Sequence, residues 1–197
     1  MYLCPHTFKS QKKLLLTYPA NAALLKKMYL IFDTETTGLP RRWDAPLTDS
    51  DNWPRAVQIA WQLHDEWGTL IEHKDFLIKP DGFDVPYDAE KVHGISTQLA
   101  EAQGVPIAEV FKAFNEALSK AQYVVGQNIG FDINIMGAEF YRYGVESPLT
   151  QMPVIDTCTE ATANLCQIAG GKGGRYKLPT LTELHSFLFG VPFAEAH

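Results

Sequence analysis

No stretch of the 197-residue chain stays apolar for anything near the ~18 residues that a membrane span requires. Cysteine is scarce. Cys4, Cys158 and Cys166 are too few and too irregularly spaced for a disulfide scaffold, and they lack the spacing of a zinc ribbon. Reduced thiols in a reducing, cytoplasmic compartment are therefore expected. A basic excess is also missing: the formal net charge is −6, which excludes a protein that holds nucleic acid by broad cationic attraction alone. No internal repeat stands out. What is present is 46% hydrophobic, 12% aromatic and 20% charged, a balance that supports a packed core. The length fits one domain, with short appendages at most.

The charge is unevenly spread. Residues 1–27 hold Lys9, Lys12, Lys13, Lys26 and Lys27 and no acid, so the formal −6 becomes −11 over residues 28–197. A compact domain this acidic repels itself unless protons, cations or partners compensate, which hints at bound metal beside the plainer reading of acidic solubility. Lys12-Lys13, Leu14-Leu15-Leu16 and Ala20-Asn21-Ala22 imitate a secretory signal. Thr17, Tyr18 and Pro19 break that apolar stretch short of the ~7–15 residues of a real signal core. Residues 1–27 are read as a basic leader or extension, and 28–197 as the folded domain.

From Met28 onward, strand-like and helix-like segments alternate. Tyr29-Leu30-Ile31-Phe32 is a short apolar strand, and Pro40 to Pro54 reads as a long loop. Val57 to His64 and Leu70 to Ile78 form two strands joined as a hairpin around Glu66-Trp67-Gly68-Thr69. Ile107, Val110, Phe111, Phe114 and Leu118 fall at helical spacing after Pro106. Tyr123 to Val125 is a strand, Phe131 to Tyr143 a helix stopped by Gly144, and Val154-Ile155 the last strand. A helix follows from about Thr157 to Leu165, with Thr157 and Glu160 as its capping box; a mobile loop spans Gly170 to Gly174. Thr180 and Glu183 cap a final helix through Phe189, closed by Gly190. The pattern predicts an α/β layered domain with a mixed sheet and helices on its faces.

The chemistry sits in Phe32-Asp33-Thr34-Glu35-Thr36-Thr37-Gly38-Leu39. Side chains alternate along a strand, so Asp33 and Glu35 point the same way and Thr34 the other. Two acids on one side repel each other, a cost that a hard divalent cation such as Mg2+ or Mn2+ would offset. An acidic turn after an edge strand is the competing reading. The second cluster is Asn128-Ile129-Gly130-Phe131-Asp132. Asp132 opens a helix, where the dipole also favours an acid, yet strand, Gly, Asn, Asp would set a third carboxylate at the edge of the sheet.

Phe32–Gly38 resembles the first signature of the DEDD 3′–5′ exonuclease superfamily, and Asn128 to Asp132 resembles the second. Val92-His93-Gly94-Ile95-Ser96 is similar to the His-Gly-Ile segment of proofreading exonucleases, the epsilon subunits of bacterial DNA polymerase III among them. The resemblance runs from about Met28 to His197. It implies a ribonuclease H-like fold, two divalent ions, and Asp33, Glu35 and Asp132 as the metal-binding acids. Two cations roughly 3.5–4 Å apart would hold the attacking water and stabilise the leaving 3′ oxygen. The third signature carries a tyrosine or a histidine as the water-activating residue, followed by a fourth acid. Tyr176 is followed four residues later by Thr180, so His197, after Phe193-Ala194-Glu195-Ala196, matches the histidine branch. A neutral imidazole suits a general base at ordinary pH. The fourth acid should follow His197 by five positions, and the sequence ends at His197. The expectation is a domain truncated at its C-terminus, with weak or absent activity and poor occupancy of at least one metal. Asp156 is a substitute only in competition with local helix capping.

Substrate contacts are expected from Thr36, Thr37 and Gly38, which could donate to the terminal phosphate or 3′ hydroxyl, and from Leu39 against the terminal base. The resemblance adds His93, Ile95 and Asn128. Arg41, Arg42, Arg55, Lys172, Arg175 and Lys177 flank or could reach the site, though isolated basic loops are mostly solvated surface; Trp43 and Trp53 could stack on bases or pack onto the hairpin. The Gly-rich segment is not a P-loop, because Gly173 follows the lysine. The expected partners are single-stranded DNA 3′ ends and, through the resemblance, a DNA polymerase subunit. RNA is the alternative substrate, and a catalytically impaired domain that binds polymerase or nucleic-acid ends is the alternative class.

Overall fold

The structure, a computed structural model, describes residues 27–191. His197, Cys4 and all of the basic extension before Lys27 lie outside the described residues. Five strands form one mixed sheet in the order β3-β2-β1-β4-β5: β1 (Tyr29–Thr36), β2 (Ala56–His64), β3 (Leu70–Leu77), β4 (Tyr123–Gly126) and β5 (Val154–Asp156). Strands β1, β2 and β3 pair antiparallel, while β4 joins β1, and β5 joins β4, in parallel. Six helices flank the sheet among the described residues: α1 (Tyr87–His93), α2 (Thr97–Gln103), α3 (Ile107–Lys120), α4 (Gly130–Arg142), α5 (Glu160–Cys166) and α6 (Leu181–Phe189). The mixed α/β sheet expected from the sequence is the one observed.

Strand β1 runs four residues beyond its apolar start. Asp33, Thr34 and Glu35 have little intrinsic reason to be extended, but they pair with Ala60, Ile59 and Gln58 of β2. Leu30, Phe32, Thr34 and Thr36 are buried on one face, so Ile31, Asp33 and Glu35 share the other. The buried face meets α3, whose Val110, Phe111, Phe114, Ala117 and Leu118 form its inward stripe. Phe114 lies 5.1 Å from Phe32 and 5.3 Å from Trp61, ring centre to ring centre, which fixes the helix on the sheet.

Helices α1 and α2 were not legible as helices. Each has seven residues and buries a single alanine, Ala89 or Ala100, so no apolar stripe marks them. The helix start near β5 also differs from the expected one. Thr157 gives its hydroxyl to the Gly126 carbonyl and the Gln127 side chain, and Thr159 with Thr162 forms the capping box of α5 instead. The box of Thr180 and Glu183, and the Gly190 stop, are as expected.

Behind the core, Glu139 of α4 is fully buried between two arginines. Its Oε1 accepts from Arg55 Nε at 2.9 Å, from the Ala56 amide at 2.9 Å, and pairs with Arg142 Nη1 at 3.0 Å. Arg142 also donates to the Ser50 and Trp53 carbonyls, tying down the long loop between β1 and β2. Arg55 is thereby a structural cation rather than a free surface one, and Trp53, 3% exposed, is core. Replacing Glu139 with Ala would leave two guanidinium groups without their buried partner. The expected loss is about 3–5 kcal/mol, read from urea unfolding; a variant as stable as the wild type would contradict the role given to this network.

Candidate active site

Strand β4 pairs with β1 only from Tyr29 to Ile31, opposite Tyr123 to Val125, and then ends at Gly126. Beyond Ile31 the backbone of β1 on that side has no strand beside it. The Thr34 amide, which points into this gap, donates to Asp132 Oδ1 at 3.0 Å, and the Thr34 hydroxyl donates to the same oxygen at 2.6 Å. Asp132 stands in the first turn of α4 and is 3% exposed. One carboxylate therefore completes the hydrogen bonding of β1 between the two acids that the sequence singles out.

The electrostatic consequence is large. The Asp132 carboxyl is raised to about 7: burial is the main push upward, the two Thr34 hydrogen bonds oppose it, and the nearby Asp33 adds to the rise. Asp33 is also raised: the residue is exposed as a whole, but the protein packed around its carboxyl desolvates it, with an opposing hydrogen bond from the Thr34 backbone. Two carboxylates that feel each other in a partly desolvated place retain a proton or take a cation. Their hard oxygens fit Mg2+ or Mn2+ and not a thiophilic metal. Glu35 is half-buried on the same strand face as Asp33. Among the described residues no three His, Cys, Asp or Glu side chains are drawn into a ready metal cluster. The structure thus joins Asp33 and Asp132 through Thr34, and gives Glu35 its strand face alone.

The loop before α4 is held by Asp156, at the end of β5. Its Oδ1 accepts from the amides of Asn128, at 2.8 Å, and Cys158, at 2.7 Å. Asn128 adopts φ 58°, a left-handed conformation that asparagine tolerates better than most residues. Its carbonyl accepts from the Phe131 amide at 3.0 Å. Asp156 thus supports the turn that delivers Asp132, rather than capping the helix that follows it. The signal for this lay in topology: β4 and β5 are parallel neighbours, so their C-terminal ends meet.

The residues after β1 form a tied turn. Thr36 Oγ1 donates to the Gly38 carbonyl at 2.7 Å, and Gly38 has φ 145°, which favours glycine. The Thr37 hydroxyl accepts from the Arg55 amide at 2.9 Å. His93 Nδ1 accepts from the Ile95 amide, so the other ring nitrogen carries the proton and donates to the Thr36 carbonyl at 3.3 Å. His93 and the Thr36–Leu39 turn are therefore in direct contact, while Ile95 is buried in a small cluster around Val57. Leu39 is 73% exposed beside Gly38. Trp43 is 59% exposed with its ring 5.8 Å from that of Phe131, next to Asp132. Arg42 pairs with Asp44, and Lys177 with Glu183.

The exonuclease family model RNase_T matches residues 30–186. The chain is 31% identical over 169 residues, 86% of its length, to the PolC-type DNA polymerase III of Pediococcus pentosaceus, and 30% identical over 138 residues to that of Streptococcus thermophilus. It spans about a tenth of the length of these polymerases. Among solved structures, E. coli exonuclease I in complex with a dT13 oligonucleotide aligns with a TM-score of 0.59 at 22% identity, over 74% of this chain and 31% of that one. The complex of exonuclease I with SSB-Ct aligns at 0.63 over 82% of this chain and 36% of that one. These likenesses establish the fold, and the ribonuclease H-like sheet is the one the sequence motifs implied. A match that runs from Leu30 of β1 through the hairpin and Asp132 into α6 places the chain in the exonuclease family.

Proposed function

We propose that this chain is a metal-dependent 3′–5′ exonuclease that removes terminal nucleotides from single-stranded DNA. The observation that carries the reading is the pairing of Asp132 with Thr34, the residue between Asp33 and Glu35, in a chain of the exonuclease family. DNA is favoured over RNA because the curated relatives are DNA polymerases and the exonuclease I structure carries a dT13 strand.

In this reading Asp33, Glu35 and Asp132 hold Mg2+ or Mn2+, two ions in a complete site. Bound there, the metal supplies charge neutralisation and an activated water for an in-line displacement. The protein residues do the rest. Asp33 and Asp132 supply the negative potential that would draw the cation, and a phosphodiester could approach them only once that potential is neutralised. Thr37 and Gly38 orient the terminal nucleotide and Leu39 presses on its base, while Thr36, expected to donate to the substrate, is buried and spends its hydroxyl on the Gly38 carbonyl, shaping the turn that His93 fixes through the Thr36 carbonyl. Asn128, held by Asp156, faces the same end of the sheet. His197 is proposed as the base that takes the proton from water, and it lies outside the described residues. Association with a DNA polymerase subunit is proposed from the PolC-type relatives. No described helix is long and apolar enough to cross a membrane.

The test is release of mononucleotides from a 5′-labelled single strand. Shortening from the 3′ end with Mg2+ or Mn2+, its loss in EDTA, and a drop of at least roughly a hundredfold for Asp33→Asn or Asp132→Asn are expected. Metal-independent cleavage, or full activity in either variant, would refute the assignment. Running matched RNA beside the DNA separates the two substrates.

Asp132 also sets a test without metal. Its folded pKa lies above the unfolded value near 3.8, so the stability it contributes is complete below that value and is lost as pH rises through about 7. In EDTA, Asp132→Asn should gain on the wild type in urea midpoint between pH 5 and pH 8, a difference of a few kcal/mol at the upper end. An offset between the two proteins that does not change with pH would contradict the burial assigned to this carboxylate.

A further inference from the structure

We propose that the cleft beside the Gly-rich loop binds the phosphates of a nucleic-acid strand upstream of its terminal nucleotide, with Lys172 and Arg175 as the cations. The inference rests on the exonuclease reading and extends it to the path of the strand. The cleft has a volume of about 530 Å3 and is lined by α5 and the loop, including Cys158, Asn164, Lys172, Arg175 and Tyr176.

The loop is not a loose tether. Lys177 N donates to the Ile168 carbonyl at 2.8 Å and closes the segment on itself. At Gly171 a Cβ would lie 2.3 Å from the Tyr176 carbonyl oxygen and 2.4 Å from that of Arg175, so only glycine permits the close approach. This folding presents Lys172 and Arg175 to the cleft from fixed backbone positions. Neither forms an ion pair among the described residues, whereas Lys177 is spent on Glu183 and Arg55 on Glu139. Glu160 is the acid in the lining, so the cleft keeps a net positive charge on a chain whose total is −6.

Position relates the cleft to the acids. The C-terminal ends of the parallel strands β1, β4 and β5 lie along one edge of the sheet, with Asp33 and Glu35 on β1, the Asn128 turn after β4, and Cys158 after β5. Two strand spacings separate β1 from β5, roughly 10 Å, a distance that a strand anchored at its 3′ end crosses within a few nucleotides. A further bond joins the two places: Gln127, just before Asn128, donates to the Pro179 carbonyl at 2.7 Å and so ties the end of the loop to the turn that delivers Asp132. Tyr176, 43% exposed in the lining, supplies the aromatic face that accompanies cations in sequence-tolerant single-strand grooves.

The experiment is fluorescence anisotropy in EDTA, where hydrolysis does not shorten the probe, with labelled dithymidylate and an oligothymidylate of about twelve nucleotides. The wild type should bind the longer strand at least roughly tenfold more tightly than the dinucleotide, and Lys172→Gln with Arg175→Gln should remove most of that gain. The slope of log affinity against log salt should fall by about 1.4 in the double variant, about 0.7 for each lost phosphate contact. Both side chains are exposed, so an unchanged thermal midpoint is the control for folding. Equal length dependence in the two proteins, no length dependence in the wild type, or tighter binding of a polyglutamate peptide than of the oligothymidylate would overturn the proposal. A wild type that shows the gain but neither releases nucleotide with Mg2+ nor binds Mn2+ at Asp33 and Asp132 would keep the strand site and count against the exonuclease reading instead.

Discussion

The Thr34 amide is buried in the sheet yet has no strand to pair with, because β4 ends its ladder with β1 at Ile31. A buried amide left without a partner costs about 1–3 kcal/mol, and here the partner is a carboxylate from the first turn of α4. The choice satisfies the backbone and creates a different difficulty: a negative charge 3% exposed, close enough to Asp33 to be pushed toward neutrality. A neutral asparagine or serine could serve the amide without that conflict. The conflict is resolved by a proton at low pH and, in the function proposed, by a cation at the pH where an enzyme works. The surrounding structure holds this arrangement from three sides. Asp156 fixes the turn before α4, the Arg55–Glu139–Arg142 network fixes its far half, and His93 fixes the chain that leaves β1.

Much of this was legible in the residues. The Asp-Thr-Glu string implies two acids on one strand face and a threonine on the other, and the burial of Thr34 against the exposure of Asp33 bears that out. The hairpin, α3 and the α6 cap were readable because each has a strong local signal: a two-residue alternation, a helical stripe, a reciprocal capping pair. What could not be read was decided by contacts distant in sequence. Asp33 to Glu35 become strand only because β2 lies alongside. The hydroxyl of Thr157 is taken by Gly126 and Gln127, thirty residues away along the chain, which hands the helix cap to Thr159. Asp156 likewise supports Asn128 across two strands, a role that only the parallel adjacency of β4 and β5 makes available. Arg55 reads as a free surface cation and is half-buried against Glu139, which nothing near it in sequence announces.

In the function proposed, the chain reconciles an acidic character with a polyanionic substrate. Its long-range field is repulsive, so attraction must be local. In the function proposed, the acids draw cations at one place on the sheet edge, and Lys172 and Arg175 of the Gly-rich loop offer positive charge at another. A strand held this way is recognised by charge and stacking along its length and by the geometry of its end, with no base-edge reading required.

The claim on which the rest stands is that Asp33, Glu35 and Asp132 share a divalent cation. The most direct measurement is an anomalous difference map from a crystal soaked in Mn2+. The account predicts a peak within coordination distance of carboxylate oxygens of Asp33 and Asp132, with Glu35 turned toward it. Manganese bound elsewhere on the chain, with none within coordination distance of Asp33 or Asp132, would contradict it.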